Sequence, residues 1–293
     1  MIRLVVAALA VAALAPPQFR TSVDAVRVEA LVLDRGKPVA DLAAADFAVT
    51  DNGSPQTVSV RPIASQPIDV VIALDISASV RGERLDQLRA GARALTAQLL
   101  PDDRATLVAF NDAVLLGPRD TPARRLDARL RTVRAAGGTA LVDAIATALV
   151  WGTERDRPRL ILVFSDGFDT VSWTRPEQAL ALARASDGVV DAIVTGELLP
   201  TSTARLGWLN TLNEPEPETR FLTELTAITG GRIRDGEAGE GLAGAFAQAL
   251  GQFRTRYEIS YTPANPEPGW HAIEIRVPGR RGATIHARRG YQR

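Results

Sequence analysis

The chain contains no cysteine. Disulfides, thiolate nucleophiles and thiolate metal sites are therefore excluded. Lysine is almost missing as well: Lys37 stands alone among 34 basic residues, and the others are arginine. A phosphate loop of the form G-x-x-x-x-G-K-[ST] cannot be built with that one lysine. There are only two histidines, His271 and His286, both in the last segment and far in sequence from any candidate nucleophile. Ser/His/Asp chemistry thus has no support. Net charge is missing too, with 34 basic residues against 34 acidic ones. Nucleic acid or an anionic membrane surface usually calls for a basic excess, so neither is expected as a partner. No dinucleotide glycine fingerprint follows the first apolar strand, and no small-molecule cofactor is expected.

What remains is a chain of 293 residues that is 46% hydrophobic, enough for a sizeable core. It opens on "MIRLVVAALAVAALAPPQFR". Arg3 precedes an unbroken apolar run over residues 4–14, and Ala13-Leu14-Ala15 offers a small-x-small cleavage site. The run is shorter than the ~20 residues a spanning helix needs. Residues 1–18 are expected to be an export signal, either cleaved or kept as an anchor because Pro16 follows the small-x-small site, which places the protein in the periplasm, at the cell envelope or outside the cell.

Residues 20–64 read as a β segment. "VRVEALVLD" alternates apolar and polar positions, while "DFAVTDNG" and "QTVSVRPI" read as two strands of a hairpin about an Asn-Gly turn. From residue 67 the texture changes. "PIDVVIALD" is continuously apolar, as in a parallel strand covered on both faces. Helical spacing of Leu85, Leu88, Ala92, Leu95 and Leu99 follows, and strands and helices then alternate to residue 254. That rhythm predicts an α/β unit with a doubly wound, mostly parallel sheet over 67–254. Residues 255–293 return to β texture in three pieces, "RYEISYTP", "WHAIEIRVP" and "ATIHARRGY". The economical arrangement is a small all-β module formed by the N- and C-terminal segments, with the α/β unit inserted between them. Residues 197–218, rich in proline and acid, read as a surface excursion.

The chemistry gathers at strand ends. "VIALDISAS" carries an apolar strand into Asp75, Ser77 and Ser79, at the carboxyl edge where open α/β sheets bind ligands. Gly137-Gly138-Thr139 and Ser165-Asp166-Gly167 belong to loops expected on the same edge. Two carboxylates and three hydroxyls form a hard oxygen set that suits Mg²⁺, with Mn²⁺ or Ca²⁺ as lesser occupants. These few donors leave the shell of a divalent ion incomplete, so water or a partner's acidic group would complete it. The plain alternative is that Asp75 and the serines cap the following helix. Asp143 is placed either close behind the site or on an exposed helix face. Asp169 reads as a solvated loop residue and Asn111-Asp112 as a hairpin turn. An aspartyl phosphotransferase would need an acid where Ser77 stands.

"DISAS", "GGT" and "SDG", in that order and spacing, resemble the metal-ion-dependent adhesion site of the von Willebrand factor type A domain family. The flanks resemble those of secreted bacterial von Willebrand factor A-related proteins. The resemblance implies that Asp75, Ser77 and Ser79 are first-loop ligands, that Thr139 ligates directly or through water, and that Asp166 does likewise. It implies a non-enzymatic exported module whose metal captures an acidic residue of a protein partner. A metal-dependent hydrolase built on the same oxygens is the competing expectation.

Overall fold

A computed structural model describes residues 25–118, 123–151, 157–166, 169–195, 217–239 and 241–293. The expected leader at 1–18 and nearly all of the excursion at 197–218 lie outside them. The N-terminal segment forms β1 (Val26–Asp34), β2 (Lys37–Pro38), β3 (Ala48–Asp51), β4 (Ser54–Gln56) and β5 (Ser59–Pro62). Strand–helix alternation then runs through β6 (Asp69–Asp75), α1 (Glu83–Thr96), β7 (Arg104–Phe110), β8 (Val114–Leu116), α2 (Ala123–Thr132) and α3 (Leu141–Val150). It continues with β9 (Arg159–Ser165), α4 (Pro176–Ala185), β10 (Val189–Val194), α5 (Pro217–Thr229), β11 (Ile233–Asp235) and α6 (Gly241–Arg254). The chain ends in β12 (Tyr257–Tyr261), β13 (Trp270–Arg276), β14 (Thr284–His286) and β15 (Gly290–Gln292).

Six strands form one sheet in the order β11-β10-β9-β6-β7-β8, parallel except for the β7–β8 hairpin. Alternation along the strands decides which helices cover which face. Val70, Ile72 and Leu74 of β6, with Leu160, Leu162 and Phe164 of β9, pack against α1, α2 and α6. Val71 and Ala73, with Ile161 and Val163, face α3, α4 and α5. Burial on both faces is why these strands read as uninterrupted apolar runs.

The terminal strands make two further sheets, β14-β1-β12-β5 (with β2 on β1) and β15-β13-β3-β4. Val28, Ala30 and Val32 of β1 meet Val49, Ile259 and Ile273 in a common core, where the Phe47 ring stands edge-on to Tyr257 at 5.5 Å. Pro62 at the end of β5 and Tyr257 at the start of β12 are cross-strand partners, so the α/β unit begins and ends at adjacent points. Arg254 fastens the same place, donating to the Gln66 carbonyl and the Asp103 carboxylate.

Two expectations need correction. "QTVSVRPI" is not the hairpin partner of "DFAVTDNG". The left-handed Asn52-Gly53 turn pairs β3 with β4, and the chain then crosses so that β5 joins β12 in the other sheet. Likewise "ATIHARRGY" is split, because β14 pairs with β1 and β15 with β13. At both places one strand-like run turns the corner between two sheets that share a core.

Behind β13 lies a closed polar cluster. His271, 2% exposed, has Nδ1 at 2.8 Å from Asp51 Oδ1 and Nε2 at 2.7 Å from the Glu267 carbonyl. The Glu267 carbonyl and the Asp51 carboxylate both act as acceptors, an arrangement that favours the doubly protonated ring. The Glu267 carbonyl, with Asp51 adding, raises the His271 pKa against the opposing effect of burial. Asp51 also accepts from the Tyr261 and Tyr291 hydroxyls, and the Tyr291 ring stacks on the imidazole at 4.8 Å. A histidine raised in the folded state contributes stability below its unfolded value of about 6.5, and this is lost as pH rises through the folded value. Denaturant unfolding across pH 6–9 is expected to show that loss, and His271→Gln to remove it. An unchanged pH profile in the variant would exclude the imidazolium.

Candidate metal centre

β6 is flanked by β9 on one side and β7 on the other, and the chain reverses its direction of winding there. Leu74 lies opposite Phe164 in the parallel register, so Asp75 and the Ser165-Asp166 pair leave neighbouring strands at the same edge. That is the switch point where an open sheet forms a crevice.

Asp75 is fully buried. Its Oδ1 accepts from the Ser77 amide at 2.9 Å and its Oδ2 from Ser165 Oγ at 2.7 Å. Burial raises the Asp75 pKa, opposed by the bonds from Ser77 and Ser165. Ser77 Oγ lies 2.8 Å from Ser79 Oγ, and Ser79 Oγ donates to Asp166 Oδ1 at 2.8 Å. Asp75, Ser77, Ser79 and Asp166 are therefore one hydrogen-bonded chain spanning two loops. The helix-capping alternative fails. Gly82 is the N-cap of α1, and no side chain caps either that helix or the short 3₁₀ turn at Ala78–Val80.

Thr139 reaches the same edge by its backbone and is not part of that chain. Its N–H donates to Thr170 Oγ1 at 2.8 Å and its carbonyl accepts from the Thr170 N–H at 2.9 Å. The loop before it docks on the first loop through Ala78 N–H to the Gly137 carbonyl at 3.0 Å and Ala136 N–H to the Ile76 carbonyl at 2.9 Å. The glycine pair is dictated by Asp112, whose Oδ1 accepts from the Gly138 amide at 2.6 Å. A Cβ on Gly137, where φ is +79°, would lie 2.0 Å from the Asp112 carboxylate.

Several supporting residues escape a sequence reading. Asn111 closes its turn by accepting from the Ala113 N–H, and it also donates to the Ala136 carbonyl at 2.9 Å. Asp169 is not a solvated loop residue: it accepts from Val142 N–H at 3.2 Å, in the first turn of α3, and from Ser172 Oγ. Asp143 faces the same loop. Burial opposes its charge, yet the Thr174 side chain together with the Thr174 and Trp173 amides, at 2.8 and 3.0 Å, holds its pKa below the ordinary value. These carboxylates brace Thr170–Thr174 beside Thr139 and leave Trp173 95% exposed at the rim. Arg84, in the first turn of α1, donates to Asp166 Oδ2 at 3.3 Å, Thr195 Oγ1 at 2.7 Å and Glu237 Oε1 at 3.3 Å.

Among the described residues no three Asp, Glu or His side chains converge as a metal-binding group. Any cation at this edge would thus draw its charge from Asp75 and Asp166, with serine and threonine hydroxyls around them. Hard oxygens of this kind fit a small divalent ion that keeps part of its water.

Residues 70–168 match the family model of the von Willebrand factor type A domain, and all five candidate residues fall inside that span. A von Willebrand factor type A structure from Catenulispora acidiphila is similar at 14% identity, covering 85% of this chain and 75% of that one, with a TM-score of 0.52. Proximal thread matrix protein 1 of the mussel byssus is similar at 13% identity over 70% of this chain and 50% of its own, with a TM-score of 0.50. An aerotolerance-related membrane protein from Bacteroides fragilis aligns at 17% identity over 64% of this chain and 98% of its own, with a TM-score of 0.46. At these identities the likeness to the first two shows a shared fold. No curated protein matches the sequence.

Proposed function

We propose that the von Willebrand factor type A segment of this chain is an exported, metal-dependent protein-binding module that captures an acidic group of a partner protein. The observation that carries the reading is the unbroken Asp75–Ser77–Ser79–Asp166 chain at the sheet's switch point. Asp75, Ser77, Ser79, Thr139 and Asp166 would hold Mg²⁺, with Mn²⁺ or Ca²⁺ as lesser occupants. Bound there, a hard cation supplies positive charge at a position open to an anionic oxygen.

This chain's own residues do the positioning. Ser165 and the Ser77 amide fix both oxygens of Asp75, so its carboxylate does not have to be ordered when a ligand arrives. Asp112 and Asn111 hold the loop carrying Thr139 against the first loop. Both histidines lie on β13 and β14, outside the loops that carry the candidate residues, which leaves the hydrolase reading without a histidine base.

The finer view of the fold belongs to the same proposal: a doubly wound α/β unit inserted in one β module made from both ends of the chain. The β1–β12 and β5–β12 pairings support it, and so does the likeness to the Catenulispora structure, which extends beyond the α/β unit. Export, to the periplasm, the envelope or the outside, rests on the apolar N-terminal run. Among the described residues no helix is long and apolar enough to cross a membrane.

Calorimetric titration of Mg²⁺ into the parent protein and into Asp75→Ala tests the centre. Loss of a direct carboxylate is expected to weaken binding by ~100-fold or more, since even supporting residues around a metal are worth 10–100-fold. Circular dichroism should show the variant folded. Equal affinities would remove the site, and Mg²⁺-dependent ester or phosphoester turnover lost in Asp166→Ala would favour the hydrolase.

A further inference from the structure

We propose that Arg84 sets the cation affinity of the candidate centre and fixes its appetite for one acidic group; this rests on the metal reading above. The Asp166 carboxylate is divided between two loads. Its Oδ1 accepts from Ser79, and its Oδ2 faces the Arg84 guanidinium at 3.3 Å. The same guanidinium is anchored by Thr195 at the end of β10 and by Glu237 just past β11. Arg84 is thus tied to the ends of three adjacent strands. The Asp166 side chain is only 4% exposed, so water screens the pair poorly.

The charges then add simply. Asp75 and Asp166 contribute two negative charges, Arg84 one positive and a divalent ion two, and the hydroxyls contribute none. Glu237 bonds to Arg84 and not to the candidate ligands, and at 54% exposure it is screened by water and counted outside the centre. The loaded centre is left with one positive charge, which one carboxylate in trans cancels. Without Arg84 the loaded centre would be neutral, and its attraction for an acidic group would be weaker. Arg84 therefore lowers the affinity for the cation alone and raises the demand of the loaded centre for an anion. It also neutralises Asp166 in the absence of metal, so that the loops hold their positions.

Mg²⁺ calorimetry and Tb³⁺ luminescence on the parent, Arg84→Gln and Arg84→Lys test this. Removing the like charge is expected to tighten Mg²⁺ binding about tenfold, and Tb³⁺ binding about thirtyfold, because the repulsion scales with ion charge. Arg84→Lys keeps the charge and should stay within about threefold of the parent for both ions. Arg84 is partly exposed, and Arg84→Met, which keeps its apolar stem, replaces the glutamine variant should that one fail to fold. Two outcomes overturn the role of Arg84 and leave the metal centre standing: equal or weaker Mg²⁺ binding by the uncharged variant while parent binding still depends on Asp75, or equal gains for the two ions. If the parent and Asp75→Ala bind Mg²⁺ alike, the centre and this role fall together.

Discussion

Glu29→Gln is expected to stabilise the chain by about 3–5 kcal/mol at pH 8–9 and to change little near pH 4. Glu29 lies on β1, 5% exposed, directly across the ladder from Glu258 on β12, itself 1% exposed. Like charges placed opposite each other in a sheet repel. Arg61 pairs with Glu258, and the remaining conflict falls on Glu29, whose pKa is pushed up to about 8, chiefly by burial and then by Asp187. The folded chain keeps this proton to about pH 8, whereas the unfolded chain releases it near 4.5. The folded state binds more protons throughout that window, so stability falls as pH rises across it. The rise from 4.5 to about 8 corresponds to about 5 kcal/mol at the upper end, at roughly 1.4 kcal/mol per pH unit. Glutamine fills the same space without a charge. Urea unfolding at pH 4, 6 and 8.5 measures the slope for parent and variant. Parallel profiles would show that Glu29 is already ionised in the folded protein.

Replacing Arg256 by methionine should cost about 3–5 kcal/mol, measured by the same unfolding curves at neutral pH. Arg256 is 2% exposed and lies at the seam between the β sheets and the α/β unit. Its guanidinium donates to three backbone carbonyls, those of Glu29 and His286 at 3.1 Å and Gly230 at 2.8 Å. Burial lowers its pKa, with Asp191 and Glu29 opposing that effect. Methionine preserves the apolar stem beside Phe253 but leaves three acceptors facing a dry seam. The contact is tight there: a Cβ on Gly230 would lie 2.5 Å from the backbone of Ala287, so water has little room to substitute. A loss below about 1 kcal/mol would mean that the seam relaxes enough to rehydrate those carbonyls.

What could be read in advance follows the range of the forces involved. Strand–helix alternation from β6 to α6 is legible because burial on both faces leaves uninterrupted apolar runs such as "VIAL" and "LILVF". Asp75, Ser77 and Ser79 are legible because one short loop carries them all. The corner-turning of β4 into β5 and of β14 into β15 is not, because which sheet a strand joins depends on partners far away in sequence, such as Tyr257 for Pro62. Arg84 carries no local signal. It is one arginine among many, and its meaning comes from Asp166, Thr195 and Glu237, which only the sheet brings to it. Asp112 reads as a turn residue and Asp169 as a solvated loop residue, yet each holds the backbone of a different loop.

The strand leading into the α/β unit is hydrogen-bonded to the strand leading out of it, Ser59 facing Ser260 and Pro62 facing Tyr257. Tension drawn along the polypeptide between these segments therefore passes straight across that ladder. The intervening residues hang from it as a closed loop outside the load path. Rungs must open in sequence from Ser59 and Ser260 before any pull reaches Asp75, so the oxygen cluster keeps its shape while the chain around it is under strain.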